Sequence, residues 1–133
     1  MALRKWITLG PSSQDGGGPM QLAFLYQPVR DLEEARRFYR GVLGWAEAWR
    51  EGDTVTAFAI PGAAVQLLLD QDDREPSRAG GLFQVDSVDA SYAAHRDRLR
   101  FVVAPRDIPP GRYAAFEDPS GNVLRIFDAT REA

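Results

Sequence analysis

Few side chains in this 133-residue chain combine a reactive type with a setting that singles them out. Arg125 is the most conspicuous. It sits at the centre of Val123-Leu124-Arg125-Ile126-Phe127, whose β-branched and bulky residues suit a half-buried strand. Alternation puts Val123, Arg125 and Phe127 on one face, and Leu124 and Ile126 on the other. A charge flanked by two apolar neighbours either meets open solvent or lines a pocket. A guanidinium cannot escape burial by losing its proton. It therefore needs a counter-charge when buried. A carboxylate, phosphate or phenolate of a ligand would supply one, and so would Glu117 on the preceding strand.

Other reactive groups are sparse. His95 is the sole histidine and reads as a helix-face residue. Asp70, Asp72 and Asp73 form the densest carboxylate cluster and read as a solvated charge run. Glu117, Tyr26 and Tyr113 have acid–base chemistry, but their spacing selects none of them. There is no cysteine, hence no disulfide, thiol nucleophile or thiolate metal site. Gly16-Gly17-Gly18 lacks the lysine and strand context of a phosphate loop. No Ser-His-acid set is evident.

Composition narrows the class. Hydrophobic residues make up 44% of the chain and charged residues 26%, enough for a core and a soluble surface. A net charge of −3 argues against nucleic acid as a partner. No apolar run reaches membrane-spanning length, and Met1–Gly10 lacks the apolar core of a signal peptide. A cytoplasmic location with no membrane partner is expected.

The elements that must position these groups follow in order. Residues 1–19 read as a strand-like segment around Trp6 and a glycine-rich loop. Gln21–Gln27 reads as a strand. Asp31 is a good N-cap, and Leu32, Ala35, Phe38, Tyr39, Val42 and Leu43 then form an apolar helical stripe ending at Gly44. Trp45–Arg50, Thr54–Ile60 and Ala64–Leu69 read as three strands, with turns at Gly52-Asp53 and Pro61-Gly62. Residues 71–79 read as a charged linker. The pattern then restarts: a strand from Gly80, a helix capped by Ser87, and strands at Arg100–Ala104, Arg112–Glu117 and Val123–Asp128. Strand, helix and three strands occur twice, the mark of a duplicated unit. The expected modules are about 20–70 and 80–128.

Two motifs resemble a known family. Asp118-Pro119-Ser120-Gly121-Asn122 before an apolar strand, with Pro28 to Trp45 (PVRDLEEARRFYRGVLGW), is similar to the signatures of the vicinal oxygen chelate superfamily. That superfamily includes glyoxalases, extradiol dioxygenases and bleomycin-resistance proteins. The resemblance covers Gln21 to Asp128. It implies an α+β fold in which tandem βαβββ modules form a curved mixed sheet with helices on the outer face, and the ligand lies on the inner side.

Catalytic members of the superfamily hold a divalent metal through a first-strand His and a last-strand Glu from each half. Carried over residue by residue, those positions are Phe24, Gln66, Gly80 and Arg125. None is a good ligand, so no metal, cofactor or catalytic residue is expected. By strand parity, Tyr26, Leu68 and Phe127 join Phe24, Gln66 and Arg125 in the implied cavity. Tyr113 and Glu117 join them from the penultimate strand. Trp45 and Trp49 are read as sharing a face.

The expected function is metal-independent binding of a small molecule, anionic or aromatic, by a homodimer, as in drug or metabolite sequestration. Two alternatives stand beside it. One is a lyase, isomerase or dioxygenase-like enzyme with a non-standard active site. The other is a dimerisation module without a ligand.

Overall fold

A computed structural model describes residues 20–72 and 76–131. The segment around Trp6, the glycine-rich loop and Asp73 lie outside the described residues. The chain divides into two compact units: residues 24–79, and residues 20–23 together with 80–131. Strand β1 (Met20–Pro28) runs from the second unit into the first.

The first unit continues with helix α1 (Leu32–Arg36), a π-helical segment (Arg37–Val42), β2 (Glu47–Glu51), β3 (Val55–Ala59) and β4 (Gln66–Asp70). Its strands are ordered β2-β3-β4-β1. β1 pairs in parallel with β4, and the other two pairings are antiparallel. The second unit holds β5 (Gly80–Val85), α2 (Val88–His95), β6 (Arg100–Ile108), β7 (Gly111–Glu117) and β8 (Val123–Phe127). Its order is β5-β8-β7-β6, again with one parallel pairing and two antiparallel ones. The fold class is α+β, as expected.

The same device starts both helices. Asp31 Oδ1 accepts from Glu34 N at 3.0 Å, and Ser87 Oγ accepts from Ala90 N at 3.1 Å. A residue just past the unit's last strand takes a second unsatisfied donor. Leu32 N donates to Gln71 Oε1 at 2.7 Å, and Val88 N donates to Asp128 Oδ2 at 2.8 Å. Each contact satisfies an N–H that the helix itself leaves open.

Under each helix one sheet face is apolar. Leu32, Phe58, Leu67 and Leu69 form the buried cluster of the first unit, with Tyr39, Trp45 and Ile60 against it. Val85, Val88, Ala114 and Ile126 form that of the second, with Phe83, Phe101 and Phe116. Burying each such side chain contributes about 1.5–3 kcal/mol.

The predicted helical stripe is only half correct. Leu32, Ala35 and Tyr39 face the core, but Phe38, Val42 and Leu43 are 47%, 72% and 44% exposed. The cause is the π-helical turn, in which Leu43 N reaches back five residues to Phe38 O at 3.0 Å. Its extra residue per turn rotates Val42 and Leu43 off the core-facing stripe. Strand β6 also outruns the expected Arg100–Ala104, continuing to Ile108 through two irregularities in its pairing with β7.

Candidate functional site

In each unit the candidate strand residues other than Trp45 lie on the face opposite the helix. In the first unit, register aligns Tyr26, Leu68, Ala57 and Trp49 across four strands. The next row contains Phe24, Gln66 and Ala59. Trp49 Nε1 donates to Gln66 Oε1 at 3.1 Å, and the Trp49 ring meets Phe24 edge to face at 6.0 Å. The Tyr26 hydroxyl donates to Asp70 Oδ2. Structure thus brings Phe24, Tyr26, Gln66, Leu68 and Trp49 together.

Trp45 does not join them. It packs on the helix side, its ring 5.5 Å from Tyr39, in the cluster containing Phe58. A register shift between Glu47 and Trp49 inserts a residue into β2 and reverses the alternation between the two tryptophans. The expected shared face is corrected by that irregularity. Asp70 is a second correction. It belongs to β4 and is buried beneath the Tyr26 hydroxyl, not to a solvated charge run.

In the second unit one row runs Gln84, Phe127, Tyr113 and Arg106 across β5, β8, β7 and β6. The next runs Leu82, Arg125, Ala115 and Val103, and a third pairs Val123, Glu117 and Arg100. Arg125 is 0% exposed. A Cβ built on Gly80 would lie 3.6 Å from Arg125 Nη1 and would collide with the Val123 backbone carbonyl. The guanidinium therefore reaches alongside Gly80, into the region that a first-strand side chain would enter. Glu117 forms an ion pair with Arg100 Nε at 3.0 Å. His95 is exposed at the end of α2, with Nδ1 2.9 Å from the Ser91 carbonyl.

The turn that feeds β8 is built from its own residues. Asp118 Oδ1 accepts from Ser120 N and Asn122 N, each at 2.9 Å, and Oδ2 accepts from Asn122 Nδ2 at 2.9 Å. Those bonds, led by the Asn122 side chain, hold the Asp118 carboxyl below its ordinary pKa. Gly121 adopts φ 86°, which explains a glycine there.

Residues 21–126 match the family model described as the Glyoxalase/Bleomycin resistance protein/Dioxygenase superfamily. The chain belongs to this superfamily. Among solved structures, NAD-dependent benzaldehyde dehydrogenase from Legionella pneumophila is 20% identical, with 80% of this chain and 98% of that one covered and a TM-score of 0.66. Methylmalonyl-CoA epimerase from Mycobacterium tuberculosis is also 20% identical, covering 89% and 94%, with a TM-score of 0.60. Homoprotocatechuate 2,3-dioxygenase from Brevibacterium fuscum is 21% identical over 91% of this chain and 36% of its own, with a TM-score of 0.56. These likenesses establish the fold alone. No protein of curated function matches the sequence.

The metal that superfamily resemblance implies does not fit the residues present. Phe24 and Gly80 offer no donor, Arg125 repels a cation, and the Gln66 oxygen already accepts from Trp49. Among the described residues no group of three or more His, Cys, Asp and Glu side chains could hold a metal ion.

Arg106 and Gln84 on the second face escaped the sequence reading. The Arg106 guanidinium carbon lies 4.9 Å above the centre of the Tyr113 ring. A signal for Arg106 was available. Pro109-Pro110 is a two-residue hairpin turn joining Ile108 to Gly111, so a partner for Tyr113 had to lie near position 106.

Proposed function

We propose that this superfamily member binds a small organic molecule carrying an oxyanion, without a metal, and serves to sequester a drug or metabolite. Arg125 carries the reading. It occupies the last-strand position that holds a metal-binding carboxylate in catalytic relatives, and it is fully buried on the face opposite α2. A fixed positive charge there can hold a carboxylate or phenolate oxygen through paired N–H donors. The apolar neighbours Leu82 and Phe127 favour an organic skeleton around that oxygen. In the first unit Phe24, Trp49 and Gln66 combine aromatic surface with a hydrogen-bonding amide, which suits a planar ligand.

The proposed assembly is a homodimer in the cytoplasm. No helix among the described residues is long and apolar enough to cross a membrane.

Native mass spectrometry of gently purified protein tests the reading by looking for a co-purified organic anion. Arg125→Gln is expected to lose that mass while the fold keeps its melting temperature. A large drop in melting temperature with ligand retained would make Arg125 a structural charge instead. Stranding its buried partner would then cost about 3–5 kcal/mol.

A further inference from the structure

We infer that Gln84 is a ligand-binding residue and that the ligand presents a neutral N–H or O–H donor to its side-chain oxygen. This rests on the small-molecule reading above and not on the oxyanion. The observation that carries it is an unmet acceptor. Gln84 Oε1 is buried and has no hydrogen-bond partner among the described residues. A carbonyl oxygen left in that state costs the fold free energy, and native proteins rarely keep one without a use. Other glutamine oxygens of the chain are engaged. Gln66 Oε1 accepts from Trp49 Nε1 at 3.1 Å, and Gln71 Oε1 accepts from Leu32 N at 2.7 Å.

The neighbours of Gln84 explain why the second unit leaves its oxygen unmet. Along β5, Phe83 and Val85 turn to the cluster under α2, so Gln84 lies with Leu82 on the opposite face. Its register partner there is Phe127. Neither Leu82 nor Phe127 has a side-chain donor to give. Arg125, diagonal to Gln84, reaches the other way. A Cβ on Gly80, at the start of β5, would lie 3.6 Å from Arg125 Nη1. Gln84 as a whole is only part-buried, and its amide turns about a broad, nearly two-fold torsion. The oxygen can therefore swing to meet an entering donor. The apolar setting favours a neutral donor over an ammonium, which loses far more on leaving water.

Two measurements test the inference. Gln84→Met replaces the amide with an apolar chain of similar length. In ligand-free protein it should keep or raise the melting temperature, because no bond within the fold depends on the oxygen. Calorimetric titration then compares indole with N-methylindole, which has the same ring but no donor. Wild-type protein should bind indole about tenfold more tightly, and Gln84→Met should abolish that preference by weakening indole alone. Benzoate, a probe of the oxyanion reading, should bind wild type and variant alike. A fall in the variant's melting temperature would make Gln84 a structural residue and overturn the inference. So would equal binding of the two indoles, or a preference indifferent to Gln84→Met. If benzoate alone binds, the donor assignment falls and the oxyanion reading stands. If indole binds with the expected preference and benzoate does not, the oxyanion reading falls and the role of Gln84 stands. If none of the three binds, small-molecule binding falls with both.

Discussion

Replacing Glu47 by Gln should cost stability at neutral pH and almost none in strong acid. Glu47 opens β2 and receives Arg36 of α1 in a two-pronged contact, Nε to Oε2 and Nη2 to Oε1, each 2.8 Å. Thr56 Oγ1 also donates to Oε2, and Arg40 Nη1 approaches Oε1 at 3.4 Å. The Glu47 side chain is only 14% exposed, so solvent weakens this pair less than it would a surface one. The Arg36 hydrogen bonds, opposed by burial and aided by Thr56, lower the carboxyl from 4.5 to about 2. At about 1.36 kcal/mol per unit, that difference corresponds to roughly 3 kcal/mol.

A carboxyl with a depressed folded-state pKa stabilises the fold above its unfolded pKa. The contribution then drains away as pH falls towards the folded value. For Glu47 the full effect is present at pH 7, declines below about 4.5, and is less than half by about pH 3. Gln keeps the shape and can still contact Thr56, but it removes the charge. Urea melts of wild type and Glu47→Gln between pH 7 and pH 3 should show a gap of about 2–3 kcal/mol at pH 7 that narrows to less than half by pH 3. A gap near 0.5 kcal/mol at pH 7, the level of an exposed pair, would refute the reasoning. So would a gap that stays constant with pH.

Elemental analysis of purified protein should find zinc, nickel, manganese and iron well below one per chain, and adding them should leave the melting temperature unchanged. Stoichiometric metal would overturn the metal-free reading. Gly80→Ala should destabilise the fold by about 1–3 kcal/mol, because the new Cβ meets the Val123 carbonyl on backbone that cannot swing away. A neutral result in a thermal melt would mean that β5 and β8 can separate there. Light scattering at micromolar concentration should give the mass of a dimer; exposed Phe38, Val42 and Leu43 offer apolar surface for such a partner. A monomer mass would count against it.

What could be read directly from the sequence were features written in the chemistry of a few adjacent residues. Asp31 and Ser87 cap helices because short polar side chains reach the open N–H groups of the next turn. Asp118 and Gly121 set the last turn because one supplies acceptors and the other a positive φ. From that turn to Arg125 the strand runs without interruption, so alternation puts the arginine on the face of Val123 and Phe127, where its register neighbours are Leu82 and Ala115. Parity is a counting rule, and an extra residue defeats it. Between Trp45 and Trp49 the shift in β2 intervenes, and the two rings end on different faces. Between Leu32 and Leu43 the π-helical turn intervenes, and the apolar stripe leaves the core.

Neither insertion has a local signature of its own. Each depends on what its neighbours across the unit accept, such as Glu47 turned towards Arg36 and Thr56. Arg106 lies beyond two such shifts in β6, and only counting back from the Pro109-Pro110 hairpin reaches it. Arg125 and Arg106 therefore differ in how they can be found. Arg125 is fixed by an unbroken run from a diagnostic turn. Arg106 is fixed by the closure of a hairpin whose far strand carries Tyr113, and only side-chain packing reveals the guanidinium stacked on that ring.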